Sequence, residues 1–155
     1  MKLSFFTAIT TALLVPFSSA AALAGPVTLS YDTQYDNGGL DLTHVACSDG
    51  SNGMIRKGYR TAGSLPNFPH IGGAFTVEKW NSVNCGKCYK VTYKGKSVHI
   101  LAIDHSNAGF NIAKRSMNEL TNGQADQLGR IQVTYENAPL SACKIFLLCL
   151  FSMNQ

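Results

Sequence analysis

The chain has 155 residues, of which 45% are hydrophobic and 14% are charged, and its formal net charge is +4. This length allows one domain of ordinary size rather than several. The 13 Lys and Arg residues form no basic run, which argues against a nucleic-acid-binding protein.

Residues 1–24 have the pattern of an export signal. Met1-Lys2 supplies a basic start, Leu3 to Phe17 is almost uncharged and apolar, and Ala22-Leu23-Ala24 satisfies the small-residue cleavage rule. Cleavage after Ala20 is the alternative. The apolar segment is too short to span a membrane as a helix. The sequence therefore predicts a secreted, extracellular or cell-wall protein without a membrane span, whose small positive charge favours weak attraction to an anionic surface.

The rest of the chain reads as short strands joined by glycine-rich loops. Strands are predicted at 27–31, 40–45, 74–78, 88–93, 97–103 and 130–135, and Lys94-Gly95 is typical of a tight hairpin. One helix is predicted because four apolar residues share a helical face, with Ser106 or Asn107 as its cap and Gly123 at its end: Phe110, Ala113, Met117 and Leu120. This pattern favours a mainly β domain with one or two short helices, folded as a small barrel.

The cysteines admit two interpretations. Cys85 and Cys88 form a C-x-x-C pair, which in a reducing compartment indicates a redox centre or half of a zinc site. The strand pattern that follows, the absence of a second ligand pair and the export signal favour structural disulfides, with no metal and no cofactor. Cys47, Cys85, Cys88 and Cys143 permit three pairings, of which Cys85–Cys88 is the least stabilising because it closes a very small loop.

Seven separate motifs, in order, closely resemble the cerato-platanin family of small secreted fungal proteins. The likeness runs from about residue 27 to residue 143, and the motifs are Ser30-Tyr31-Asp32, 45–50, 63–66, 71–73, 84–89, 101–104 and 109–113. Residues 25–143 are accordingly expected to form one domain.

The resemblance implies a six-stranded double-psi β-barrel, similar to the first domain of expansins, with Cys47–Cys85 and Cys88–Cys143 disulfides. It also implies non-hydrolytic binding of N-acetylglucosamine oligomers or other wall polysaccharide, expansin-like loosening, and elicitation of plant defence. An alternative function is that of a surface-active elicitor, recognised by a plant cell-surface receptor, with incidental sugar binding. The protein is expected either to be a monomer or to self-assemble at interfaces.

Three aspartates are candidate sugar ligands. Asp104 ends a nearly continuous apolar strand, where a carboxylate is costly to bury unless it is satisfied, and it matches the groove aspartate of expansins. Capping of the next loop is its alternative role. Asp32 ends the first strand, and Asp49 lies in a turn cluster. A weak glycoside hydrolase would pair Asp104 with one of these two at a defined separation; without a demonstrated pair, no catalytic residue is assigned.

Aromatic and amide side chains complete the predicted sugar site. Trp80 and Tyr31 are candidate stacking residues, since the C–H faces of sugar rings pack on aromatic rings. Asn84 and Asn111 are candidate hydrogen-bond donors. Packing in the core, for the aromatic residues, and bracing of loops, for the amides, are the alternative roles.

Residues 144–155 depart from the family pattern. The resemblance implies an end soon after Cys143, whereas here an apolar run continues from Ile145 to Phe151 and contains Cys149. The favoured interpretation is translated intron sequence. The alternative is an interface segment in which Cys149 pairs between chains.

Overall fold

The computed structural model describes residues 24–146, which form a closed six-stranded barrel. The strands are β1 (Ala24–Tyr31), β2 (Ile71–Ala74), β3 (Cys88–Tyr93), β4 (Lys96–His105), β5 (Phe110–Ile112) and β6 (Arg130–Ala138). Their order around the barrel is β1-β5-β2-β4-β3-β6, with parallel pairing in β1–β5 and β2–β4 and antiparallel pairing elsewhere. The predicted barrel is confirmed. The predicted export signal lies outside the described residues, except for Ala24. Cys149 also lies outside them.

Two predicted strands are wrong. The segment 40–45 contains a 3₁₀ turn, Leu42–His44, because the Asp41 carboxylate accepts the backbone N–H of Thr43 and bends the chain. In the segment 74–78, Ala74 ends β2 and the chain turns at once, with the Val77 N–H donating to the Ala74 carbonyl. The other four predicted strands each lie within an observed strand.

The predicted helix begins later than expected. Helix α1 spans Lys114–Thr121, and Phe110 belongs to β5, so neither Ser106 nor Asn107 is its cap. The N-cap residue, Ala113, has no side-chain acceptor. The first N–H groups of α1 instead donate to the carboxylate of Asp36, which lies in the 3₁₀ turn Thr33–Asp36, far away in the sequence. A second helix, α2, spans Ala125–Leu128.

The core is continuous through the barrel and is fastened by two disulfides. Phe110 and Tyr89 are buried at its centre, with ring centroids 5.5 Å apart, and the ring of Tyr135 packs against both. The predicted Cys47–Cys85 and Cys88–Cys143 bridges are confirmed. The first ties the loop that contains Cys47 to the loop before β3, and the second ties β3 to the 3₁₀ turn Leu140–Cys143.

Candidate functional site

Strand register places five residues side by side across the barrel wall. Asp104 of β4 pairs with Gly73 of β2, Gly73 pairs with Asn111 of β5, Asn111 pairs with Ser30 of β1, and Ser30 pairs with Arg130 of β6. With about 4.8 Å between neighbouring strands, the row measures about 19 Å along the curved barrel wall, and its two end strands, β4 and β6, both pair with β3. Gly73 has no side chain, and a Cβ there would lie only 2.6 Å from the carbonyl oxygen of His105. Gly73 is buried, so the backbones of β2 and β4 approach closely there and this position offers no side chain to a ligand.

One end of this row forms an open polar cleft of about 270 Å³. Its lining combines residues from β1, the end of β4, the 106–108 loop, β5 and β6: Ser30, His105, Ser106, Asn107, Ala108, Asn111 and Arg130. Of these, only Asn111 was predicted as a site residue. Ser30 lies within a motif of the family resemblance, but pairing with Arg130 depends on strand register, which the local sequence does not reveal.

A close backbone approach fixes the shape of the cleft. Gly109 has a φ of +57°, and a Cβ at this position would overlap the carbonyl oxygen of Thr28. The hydroxyls of Thr28 and Ser106 both donate to the carbonyl of Ala108, at 3.3 and 3.2 Å. These hydrogen bonds and the close approach of Gly109 to Thr28 hold the 106–109 loop against β1, so the loop lines the cleft and does not fill it.

His105 is held at the rim between two acceptors. Its Nδ1 lies 2.6 Å from the carbonyl oxygen of Val77, and its Nε2 lies 3.0 Å from Oδ1 of Asn107. A neutral imidazole can donate from only one nitrogen, whereas the imidazolium donates from both. The hydrogen bond to Val77, followed by that to Asn107, therefore raises the pKa of His105 above its usual value, and the charge of Asp104 adds to the shift.

Asp104 ends the row at β4, directly before His105, and its carboxylate accepts three hydrogen bonds. Its Oδ2 accepts the hydroxyl of Tyr35 at 2.9 Å, and its Oδ1 accepts the backbone N–H groups of Ala46 and His105, each at 2.8 Å. Burial raises the pKa of Tyr35 well above its usual value, and the negative charge of Asp104 raises it further. Tyr35 therefore remains a neutral donor, and the carboxylate joins β4 to two loops.

The other two aspartates make hydrogen bonds of their own. Asp32 caps the 3₁₀ turn Thr33–Asp36, accepting the backbone N–H of Gln34 at 2.9 Å. Asp49 is exposed and accepts the indole N–H of Trp80 at 3.0 Å, a hydrogen bond that lowers the pKa of Asp49. Trp80 is 57% exposed, so this bond orients an aromatic ring that faces solvent.

Tyr31 and Asn84 each contact other protein groups. The hydroxyl of Tyr31 donates to Asp126 at 2.8 Å, and the ammonium of Lys114 lies over its ring and pairs with the same carboxylate. The side-chain amide of Asn84 donates to the carbonyl of Thr76 at 2.6 Å and braces the loop before β3. Of the predicted site residues, Asn111 alone lines the cleft, Asp104 binds Tyr35 and two backbone N–H groups, and Asp49 pairs with Trp80. The remaining three, Asp32, Tyr31 and Asn84, brace turns and loops.

The arrangement suits hydrogen bonding better than bond cleavage. None of the residues that line the cleft is a carboxylate. The Ser106 hydroxyl donates to Ala108 rather than to His105. Ser116 and His70 do form a serine–histidine contact, at 3.0 Å, elsewhere in the fold. That pair is closed to substrate because Ser116 is fully buried and its hydroxyl donates to the Pro69 carbonyl.

Within residues 24–146, no cluster of three potential metal ligands occurs. The helices in that part of the chain are also too short or too polar to cross a membrane.

Comparison with known proteins identifies relatives along nearly the whole described chain. The family model for cerato-platanin matches residues 27–145. The chain is 64% identical over 143 residues to the heat-stable 19 kDa antigen of Coccidioides posadasii, which covers 92% of this chain and 98% of that relative. The crystal structure of cerato-platanin 3 from M. perniciosa is similar, with a TM-score of 0.76, 46% identity, and coverage of 78% of this chain and 100% of that one. The solution structure of the fungal elicitor cerato-platanin has a TM-score of 0.69 and 36% identity, covering 76% of this chain and 96% of that one.

Proposed function

The chain belongs to the cerato-platanin family, and from this membership and the polar cleft we propose that it binds N-acetylglucosamine oligomers or a related wall polysaccharide without hydrolysing it. The observation that carries the proposal is the open cleft of about 270 Å³, where Ser30, Asn111 and Arg130 of three neighbouring strands meet the 106–108 loop. Three neighbouring strands are about 10 Å across, which offers contacts to more than one sugar ring.

The chemistry of the cleft supports a carbohydrate ligand. Hydroxyl and acetamido groups of a sugar both donate and accept hydrogen bonds, and the lining offers two serine hydroxyls, two amides and a guanidinium. The side-chain oxygen of Asn111 accepts the Ser30 hydroxyl at 3.1 Å, so its NH₂ group is available to a ligand. The shallow, open form suits a polymer that lies across the strands.

The positions of the aspartates support binding rather than hydrolysis. Hydrolysis of a glycosidic bond uses two carboxyl groups on either side of the bond, about 5–5.5 Å apart for retention or 6.5–9.5 Å for inversion. Asp104 is occupied by three donors, and Asp32 and Asp49 are bound to different loops. A weak hydrolase that pairs Asp104 with one of them is the alternative, and release of reducing ends from soluble glucans, abolished by Asp104→Asn, would favour it.

Trp80 provides a second surface for a polymeric ligand. Its indole ring is exposed and oriented by Asp49, and aromatic faces stack on the C–H faces of sugar rings. In this proposal Asp32, Tyr31 and Asn84 hold the loops around the ligand surfaces. The two disulfides and the family fit a secreted protein that acts on the cell wall, with loosening of polysaccharide as its effect.

The test is titration of an N-acetylglucosamine tetramer into the ¹⁵N-labelled protein. We expect shifts at Ser30, Asn111 and Arg130, and Asn111→Ala should weaken binding about tenfold, the effect of one lost hydrogen bond near 1.4 kcal/mol. Asn137→Ala is the matched control, because Asn137 is exposed on β6 and does not line the cleft. Absence of any shift at millimolar ligand would refute sugar binding.

Elicitation of plant defence is a second candidate function, favoured by the likeness to a solved structure described as a fungal elicitor. A plant receptor would then recognise surface loops rather than the cleft. An Asn111→Ala variant with full elicitor activity and lost sugar affinity would separate the two functions. Loss of both elicitor activity and sugar affinity in this variant would indicate that the receptor recognises the complex of the protein with the sugar.

A further inference from the structure

We propose that the cleft prefers an acidic oligosaccharide, one that carries a uronate carboxylate or a sulfate ester, over a neutral one. This inference rests on the proposed function, because it concerns the ligand class of the same cleft. It goes beyond that function by assigning a charge to the ligand and a specificity role to Arg130.

The first observation is the sign of the charge at the cleft. Its two ionisable lining residues are Arg130 and His105, and no acidic residue lines it. Elsewhere on the barrel, Lys90 and Lys114 each pair with a carboxylate, at 2.9 and 2.7 Å. Among residues 24–146, Arg130 has no carboxylate within 4 Å, and its single hydrogen bond is a 3.5 Å contact to the Thr28 hydroxyl. Its guanidinium therefore presents an uncompensated charge and free donors to the cleft.

The second observation is an excess of donors. Oδ1 of Asn111 accepts from Ser30, and Oδ1 of Asn107 lies 3.0 Å from Nε2 of His105, so each amide oxygen already has one protein partner. The NH₂ groups of both amides have no acceptor in the described part of the chain. Carboxylate and sulfate oxygens accept hydrogen bonds and cannot donate, so they match such a lining better than a hydroxyl does.

The third observation is the position of His105. Its two ring nitrogens face the Val77 carbonyl and the Asn107 amide oxygen, an arrangement that the doubly protonated ring satisfies. Asp104, the residue before His105 in β4, is the ionisable group whose charge acts on this ring. Its carboxylate does not line the cleft and accepts the hydroxyl of Tyr35 and the backbone N–H groups of Ala46 and His105. His105 can thus add a second positive charge to the cleft that Arg130 borders.

The experiment compares matched ligands by calorimetry on residues 25–155. Trigalacturonate is the acidic probe, its full methyl ester is the neutral probe of nearly the same shape, and a sulfated neutral trisaccharide separates sulfate from carboxylate recognition. We expect the acid or the sulfate ester to bind at least about tenfold more tightly than the methyl ester, as one charge-assisted contact would produce. The tighter of the two identifies the natural anionic group.

Two variants assign the preference to the cleft. Arg130→Gln should bring the ratio of acidic to neutral affinity close to one, and Arg130→Lys should restore part of it because the charge remains but the paired donors are lost. Arg56→Gln removes the same charge from an exposed position outside the cleft and should leave the ratio unchanged. Amide spectra of each variant verify that the barrel is intact.

Equal affinity for the acid and its methyl ester would overturn the inference. Equal losses in Arg130→Gln and Arg56→Gln would also overturn it, because they would indicate general attraction to a positive protein. If the N-acetylglucosamine tetramer still shifts the cleft residues, the proposed function stands without the acidic preference. If no sugar binds, both fail together.

Discussion

Replacement of Asp104 should test whether this carboxylate is mainly a structural acceptor. In Asp104→Ala, the hydroxyl of Tyr35 and the backbone N–H groups of Ala46 and His105 lose their acceptor. Tyr35 is only 2% exposed, so its hydroxyl cannot regain a full hydrogen bond from water. An unsatisfied buried donor costs about 1–3 kcal/mol, and the more accessible N–H groups cost less, so the total loss is about 3–5 kcal/mol.

The size of this loss can be checked with two further substitutions. Asp104→Asn keeps one oxygen for the backbone donors and places an NH₂ group against the Tyr35 hydroxyl, which can accept, so its loss should be about 1–2 kcal/mol. Tyr35→Phe in the Asp104→Ala background removes the orphaned hydroxyl and should recover about 1 kcal/mol of the loss. Asp49→Ala is the exposed control and should leave the urea midpoint close to that of the natural protein.

Urea unfolding with both disulfides intact, followed by far-ultraviolet circular dichroism, measures these differences. A loss of 3–5 kcal/mol lowers the midpoint by roughly 1–3 M for a protein of this size. The reasoning is refuted if the free energy of unfolding of Asp104→Ala lies within about 1 kcal/mol of that of the natural protein. If Asp104→Asn is stable yet loses sugar affinity, the carboxylate is a ligand group as well as a brace.

Four further results are expected. Replacing Cys88 and Cys143 by Ser opens a loop of 55 residues and should lower the free energy of unfolding by about 4 kcal/mol, and an unchanged urea midpoint would contradict this. Asp36→Ala removes the acceptor for the first N–H groups of α1 and should cost about 2 kcal/mol in the same assay, with Asp36→Asn intermediate because it keeps an acceptor oxygen but not the charge; an unchanged midpoint in Asp36→Ala would contradict this. Gly109→Ala should cost more than about 3 kcal/mol or prevent folding, because the added Cβ meets backbone; a stable variant would show that the loop can move away. The pKa of the His105 ring, measured by NMR, should lie above its ordinary value. The stabilisation of the fold by the protonated ring is therefore full below the unfolded pKa and is lost as pH rises through the folded pKa. A titration midpoint below the ordinary pKa would refute the assignment of the two hydrogen bonds of this ring.

The sequence predicted correctly those strands and turns whose signals lie within a few neighbouring residues. β3 and β4 form a hairpin around Lys94 and Gly95, both with positive φ, and the turn and the flanking alternation are visible in the sequence. The segment 40–45 alternates equally well, but it makes only an isolated bridge from Asp41 to Thr61, and the Asp41 side chain bends it into a 3₁₀ turn. Phe110 shares the helical spacing of α1, yet it packs into the barrel centre from β5. A local side-chain hydrogen bond decided the first case and tertiary packing decided the second.

The candidate site was less accessible to sequence reasoning. Asp104, Asn111 and Trp80 carry side chains that suggest sugar binding by their type. Arg130 and Ser30 suggest nothing alone, since their proximity follows from the pairing of β6 with β1. The family resemblance supplied the barrel and the disulfides, but register and hydrogen-bond partners required coordinates.

The pairing of the first strand with the last two also determines when this protein can fold during synthesis. β1 bonds to β5 and β6, so its backbone groups have no strand partner until residues 110–138 have been made. Such distant pairing delays closure, because the entropy of a long loop is lost before the contacts form, and it predicts folding in milliseconds to seconds rather than microseconds. A chain that ends before β6 should therefore remain open along both β1 and β3, and a nascent chain should acquire its barrel only near the completion of translation.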